Sequence, residues 1–224
     1  MNLPKSEDRR VWDLPLRLFH WALVGLVAFQ AYTGLWGGPK AMVWHGRAGL
    51  AILALVLFRL IWGVIGGRHA RFASFVRGPG AIIKYLKGQL PPVAGHNPLG
   101  ALSVIAMIAI LATQAATGLF ANDDILFEGP LVQLVGKETS DVVTRYHYLS
   151  SRVLLALVVL HLGAIAVYRF KGHDLIRPMI TGTRTDDPSH DASDESAISV
   201  SGSVVKALIA LAIAVAVVAG ILKL

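Results

Sequence analysis

The sequence predicts an all-α integral membrane protein, a four-helix bundle followed by a fifth transmembrane helix. Three observations predict it. Of 224 residues, 54% are hydrophobic and only 16% charged, and the mean hydropathy is positive, as in membrane-embedded chains. Five apolar stretches run at about Leu14 to Trp36, Met42 to Ile65, Leu99 to Phe120, Leu149 to Phe170 and Val204 to Leu222. Each is near the ~20 residues that a helix needs to cross a hydrocarbon core about 30 Å thick. Charge then alternates between the connections, as it does on the two sides of a bilayer. Helices are the economical solution, since backbone polar groups have no other partner in lipid.

The alternation sets the topology. The connection from Gly66 to Pro98 carries Arg68, Arg71, Arg77, Lys84 and Lys87 with no acid. Lys171, Arg177 and Arg184 follow the fourth span, and Lys5, Arg9 and Arg10 outweigh Glu7 and Asp8 before the first. The connection between spans three and four is acidic, with Asp123, Asp124, Glu128, Glu138 and Asp141 against Lys137. The excess of Lys and Arg on cytoplasmic loops then predicts a cytoplasmic N-terminus, an outward acidic loop and a periplasmic C-terminus, in a bacterial inner membrane. The net charge of +7 is accounted for by this distribution, so a nucleic-acid partner is rejected; membrane lipid is the expected surrounding. The first apolar run is too long for a signal-peptide core and no small-residue cleavage site follows it, so it is expected to remain as an anchor. The chain has no cysteine, which excludes disulfides, covalent haem attachment and thiolate-held iron–sulfur clusters.

Residues 1 to 12 form a short polar lead. Span one opens at Leu14-Pro15, where a first helical turn tolerates proline, and carries Arg17 and His20 near its inner end and Gly34 near its outer end. Gly37-Gly38-Pro39 predicts a tight turn. Span two begins with Trp44-His45-Gly46-Arg47, and fourteen residues after His45 comes Arg59, a costly guanidinium in an apolar run. The inner connection is too long for a simple turn; part of Phe72 to Leu86 is expected to lie as an amphipathic helix on anionic lipid. His69 and His96 fall here and are expected to be ordinary loop residues. Asn97-Pro98 marks entry into span three, whose Thr113, Gln114, Thr117 and Gly118 could meet a cofactor or a quinone, or could equally serve as polar contacts between helices. A short helix is expected around Leu131 to Val135. Arg152 lies five residues inside His147 on span four. Thr181 to Ser203 reads as a flexible polar linker. Span five has no ligand-type side chain and is expected to be an anchor or docking helix, peripheral to the chemistry. No internal repeat is evident. The domain organisation is therefore a membrane domain at 1–180, a linker at 181–203 and a terminal helix at 204–224.

Span four carries the pattern that organises the rest. His147 and His161 stand fourteen residues apart, which on a helix is within roughly 40° of four full turns and a rise of about 21 Å. Both imidazoles share one face at two depths, with unbroken aliphatics from Val153 to Leu160 between them. The topology places His20 with His161 near the inner surface, and His45 with His147 near the outer one. Two layers of two histidines suit bis-histidine ligation of two haem irons. Arg17 and Arg59 fall near the inner layer and Arg47 and Arg152 near the outer, where haem propionates need cations. Gly34 falls at the outer layer, where a glycine lets a flat macrocycle approach the backbone. A zinc site would gather three or four ligands at one depth, often with a carboxylate, and a proton relay would favour intramembrane acids; spans two to four contain none.

Several segments resemble the bacterial cytochrome b561 family, which includes the b-type cytochrome subunits of nickel–iron hydrogenases and the gamma subunits of membrane formate dehydrogenases. They are Arg17-Leu18-Phe19-His20-Trp21, Trp44-His45-Gly46-Arg47-Ala48-Gly49, Arg59-Leu60-Ile61-Trp62-Gly63, Gly95-His96-Asn97-Pro98-Leu99-Gly100, Phe127-Glu128-Gly129-Pro130 and the His147/His161 pair. The resemblance covers roughly residues 10 to 180; the linker and fifth span depart from the family's four-span core. It implies two b haems, with His20 paired to His161 and His45 to His147. It also implies electron transfer between the quinone pool and a periplasmic redox partner, such as a c-type cytochrome or a dehydrogenase- or hydrogenase-type complex. Two rival readings are a superoxide:quinone oxidoreductase, drawing the anion through Arg47, Arg145, Arg152 and Lys137, and a haem-free transport or assembly protein. Association into homo- or hetero-oligomers is open, with the fifth helix able to mediate it.

Overall fold

Each long helix begins and ends at a local signal in the sequence. The computed structural model describes residues 9–90, 95–125, 127–184 and 200–224. Helix α1 (Leu14–Trp36) is capped by Asp13, whose side chain accepts from the Leu16 backbone N–H at 2.8 Å. Gly37 alone separates it from α2 (Gly38–Ile65), and Gly38 turns the chain at φ +64° ahead of Pro39. Helix α2 therefore folds straight back along α1. Two short helices, α3 (Phe72–Phe75) and α4 (Pro79–Leu86), occupy the inner connection. Asn97 then caps α5 (Pro98–Gly118), accepting from the Gly100 N–H at 2.7 Å. A 3-10 turn at Val132–Leu134 leads to α6 (Lys137–Phe170), followed by α7 (Ile176–Thr181) and α8 (Val200–Ile221). Five of these helices are long and apolar enough to cross a membrane, so the chain is a multi-pass, all-helical membrane bundle. The extended pairing among the described residues is one two-residue clasp, β1 (Arg9–Arg10) antiparallel to β2 (Thr183–Arg184), with Arg9 opposite Arg184, and an isolated antiparallel bridge between Asn122 and Glu128.

Helix α1 packs on α2, α2 on α5, and α5 on α6. Across the middle, Ile52, Val56 and Leu111 are buried, with Leu23, Leu26, Val27, Ile108, Ala112 and Leu154 packed round them. This apolar layer draws on all four helices and separates an inner end, holding the start of α1, from an outer end. At the inner end α7 docks on α1: Trp21 Nε1 donates to the Met179 carbonyl at 3.1 Å, and Arg17 Nη1 donates to the Ile180 carbonyl. A second tie there joins three elements. Asn97 Nδ2 donates to the Tyr168 hydroxyl at 2.7 Å, which is 2.6 Å from the Tyr85 hydroxyl.

The structure differs from the sequence reading in four places. Helix α6 starts at Lys137, twelve residues before its apolar stretch. Its 34 residues span about 51 Å, more than the bilayer core, so its first turns carry polar residues above the apolar layer. Helix α2 likewise begins four residues early, at Gly38. The linker is shorter than expected, because Thr181 closes α7 and Thr183–Arg184 pair with the N-terminal strand; residues 185–199 and the first eight residues of the polar lead lie outside the described residues. Finally, α8 is packed into the bundle. Ala210 and Ala214 are fully buried in a cluster with Leu16, Phe58, Trp62 and Ala70. Small side chains let the α8 backbone approach closely, which in lipid is the main source of helix–helix attraction.

Candidate functional site

At the outer end, His45 on α2 and His147 on α6 face each other with ring centroids 6.3 Å apart and planes crossed at 78°. Two metal–imidazole bonds of about 2 Å, plus roughly 1 Å from each nitrogen to its ring centre, separate trans imidazoles by ~6 Å. The pair therefore has the spacing of two axial ligands on one metal. Both rings are gripped at Nδ1. Thr33 Oγ1 lies 2.9 Å from His45 Nδ1, and Thr117 Oγ1 lies 3.1 Å from His147 Nδ1. The backbone carbonyls of Gln30 and Gln114 are further partners of the same rings. Each threonine hydroxyl also reaches carbonyls of its own helix: Phe29 at 2.9 Å for Thr33, and Thr113 at 2.7 Å for Thr117. The glutamine carbonyls can only accept, which calls for a proton on each Nδ1; a threonine hydroxyl that gives its own proton to its helix can accept from the same N–H. That fixes the tautomer with Nδ1–H, and leaves the Nε2 lone pair free to bind a metal.

A glycine follows each threonine. A Cβ on Gly34 would sit 3.1 Å from His45 Cε1, and one on Gly118 would sit 3.3 Å from His147 Cε1. The Gly34 backbone, expected to make room for a macrocycle, makes room for the His45 ring. The paired glycines also expose a repeat that the sequence reading missed. Gln30-Ala31-Tyr32-Thr33-Gly34-Leu35-Trp36 recurs as Gln114-Ala115-Ala116-Thr117-Gly118-Leu119-Phe120. Its signal was short and its two copies are separated by three other helices, but Gln, Thr and Gly at fixed offsets could have revealed it. The outer loop closes over this layer, with the Phe127 ring against Gly46 beside His45. Leu131 N–H donates to the Leu119 carbonyl at 2.9 Å. The arginines expected here do not hydrogen-bond to the pair. Arg47 lies over the Trp44 ring at 4.9 Å, and Arg152 is exposed on α6, about 140° round the helix from His147.

At the inner end, His20 on α1 and His161 on α6 lie within electrostatic reach of each other. His20 Nδ1 is buried without a hydrogen-bond partner among the described residues, and its ring meets Trp21 edge-on at 5.1 Å. Arg59 is only 2% exposed. Its guanidinium lies over Phe72 at 4.6 Å, and its Nη1 has no hydrogen-bond partner among the described residues. The nearby carboxylate, Asp13, is committed elsewhere: it takes hydrogen bonds from Leu16 N–H, from Trp62 Nε1 at 3.2 Å and from Gly67 N–H at 3.3 Å. A buried guanidinium with an open N–H fits an incoming carboxylate, such as a haem propionate. Arg17 keeps a second open donor there, its buried Nε.

His69 and His96, expected to be ordinary loop residues, belong to this inner cluster instead. The His96 ring sits between Trp12 and Phe75, 4.7 Å from each, and Trp12 also meets His69 at 6.4 Å. Burial, with Arg59 and His69 nearby, pushes His96 down to about 4. Burial and the adjacent Arg68 lower His69 as well. No local pattern signals this, because the loop folds Trp12, Phe75 and Arg59 together from three separate segments.

The comparisons agree with this architecture. A family model described as prokaryotic cytochrome b561 matches residues 11–182. A protein of Rhizobium leguminosarum bv. viciae, named "Probable Ni/Fe-hydrogenase B-type cytochrome subunit", is 25% identical over 210 residues, covering 78% of this chain and 87% of that protein. No solved structure matches the chain. With five helices long and apolar enough to cross a membrane and a family match that ends just past α7, the chain belongs to the prokaryotic cytochrome b561 family, the b-type cytochromes of membrane electron transfer.

Proposed function

We propose that this chain carries two b haems at two depths of a bacterial inner membrane, and passes electrons between quinone at one end and a periplasmic redox partner at the other. The observation that carries the reading is the outer imidazole pair, 6.3 Å apart with both Nδ1 atoms hydrogen-bonded, matched by a second pair at the opposite end of α6. When bound, each haem supplies a one-electron carrier. His45 and His147 hold the outer iron, and His20 and His161 the inner one. The open N–H groups of Arg59 and Arg17 receive inner propionates. The apolar layer of Ile52, Val56 and Leu111 keeps water from between the two sites. Basic residues of the α3–α4 connection share the inner end with His20, which supports a cytoplasmic inner end, and α8 then runs outward. The name of the Rhizobium relative supports a hydrogenase-type or similar redox complex as partner, with a c-type cytochrome as the other candidate.

The test is the reduced-minus-oxidised spectrum of the purified chain with pyridine haemochrome quantification. Two haems per chain are expected. His45→Ala or His147→Ala removes one, and His20→Ala or His161→Ala the other. A single haem, or losses that do not sort into these pairs, would contradict the assignment. The superoxide:quinone oxidoreductase reading needs a basic outer funnel. Here Lys137 is engaged by Asp124 and by Asp141 at 2.6 Å, and Arg47 by Trp44, which favours the partner-protein reading.

A further inference from the structure

The outer imidazole pair is built twice from one pattern. We propose that Thr33 and Thr117 are positioning residues that tune the outer haem, each accepting the Nδ1–H of its histidine and so lowering the potential of the iron that the histidines hold. This rests on reading His45 and His147 as axial ligands.

The two devices match atom for atom. In each, a glutamine carbonyl, a threonine hydroxyl three residues on and a glycine one further meet the histidine of the next helix. The hydroxyl is 2.9 Å from Nδ1 in one and 3.1 Å in the other. The glycine sits against Cε1, the carbon between the two ring nitrogens. With a proton on Nδ1, Nε2 carries the lone pair that an iron would take. Both glutamine side chains also end in a buried Oε1 without a partner. A threonine acting only as polar contact between helices would need none of this, since its hydroxyl is already satisfied by its own helix. Both outer histidines have the device, whereas His20 Nδ1 in the inner layer has no partner among the described residues. Donation from Nδ1–H raises the electron density of the imidazole and makes Nε2 a stronger ligand. A stronger ligand favours ferric over ferrous iron, and two such ligands on one iron act in the same direction.

The experiment is a redox titration of the full-length purified chain, with Thr33→Val, Thr117→Val, the double variant, and Thr33→Ser and Thr117→Ser. His45→Ala identifies the outer component. Valine preserves the threonine shape, so two haems per chain are expected to remain. At fixed ambient potential, each valine should move the outer haem's reduced-to-oxidised ratio about three- to tenfold toward reduced, tenfold being 59 mV for one electron. The double variant should move it further, serine should restore it, and the inner haem should not move. If valine instead expels the outer haem, retention by the serine variants at the parental potential still assigns the role to the hydroxyl. An unchanged outer potential in the double valine variant overturns the proposal, as does loss of the outer haem in valine and serine variants alike. A parental chain without haem would overturn the ligand reading, and this proposal with it.

Discussion

Arg59 puts a full positive charge inside the inner end of the bundle. It is 2% exposed with an open Nη1, and the carboxylate nearby is already saturated by three other donors. A charge-assisted hydrogen bond contributes about 1.5–3 kcal/mol, so Arg59→Gln should weaken retention of the inner haem by roughly ten- to a hundredfold while the outer haem stays. Haem content after competition with apomyoglobin measures this, and equal retention would remove Arg59 from the site. His96 makes a different prediction. Held at about 4 in the folded chain, against about 6.5 unfolded, it is neutral when folded while the unfolded chain takes up a proton between these values. Stability is therefore full above pH 6.5 and falls as pH drops towards 4, by up to ~3 kcal/mol. His96→Phe should flatten that dependence, read as the apparent Tm against pH in detergent. Arg59 was legible in the sequence because a charge in an apolar run announces itself. His96 was not, because its burial is created by Trp12 and Phe75 folding over it from elsewhere.

At the scale of elements, the best-read features were those set by solvent, and the worst were those set by neighbours. All five spans were visible as apolar runs, yet α6 begins twelve residues early, because helix propensity and hydrogen bonding continue after hydropathy stops. Helix α8 was read as peripheral since it carries no ligand-type residue. Its Ala210 and Ala214 are nonetheless fully buried against α1 and α2, and nothing in an Ala-rich run says which face will be covered. Ala210→Leu with Ala214→Leu should push α8 from this groove, with overpacking costs of about 1–3 kcal/mol per site. The expected result is a lower Tm and faster proteolysis, with both haems retained because no ligand sits on α8. Loss of haem from this variant would show that α8 shapes the inner site.

Over the whole molecule, the α1–α2 and α5–α6 hairpins share one plan at the outer end and diverge at the inner. His45 and His147 occupy matched positions, but fourteen residues further on α2 carries Arg59 where α6 carries His161. Ten residues before the repeated glutamines, α1 has His20 where α5 has Val104. Helix α6 thus carries a histidine in each layer, whereas α5 carries none and contributes Thr117 and Gly118 to the outer layer, so the two histidine layers lie along one helix. A partner must then dock at an end, and the outer end carries the acidic loop. The structure refines which acids can be tested there. Asp123 accepts from the Ile125 and Phe127 backbone at 3.0 and 2.8 Å, so its removal would unfold the loop that covers His45. Asp124 is exposed and holds a positive φ of 60°, which asparagine tolerates. Glu128 and Glu138 are exposed. Asp124→Asn with Glu128→Lys and Glu138→Lys should therefore slow electron exchange with a basic c-type cytochrome about tenfold at low ionic strength, within the range of electrostatic steering. The difference should vanish near 1 M salt, where the Debye length is ~3 Å. An unchanged rate would move docking away from this loop. A faster reaction of the same variant with superoxide, read from haem reduction, would instead support the rival reading, because an anion gains from the charges that a basic protein loses.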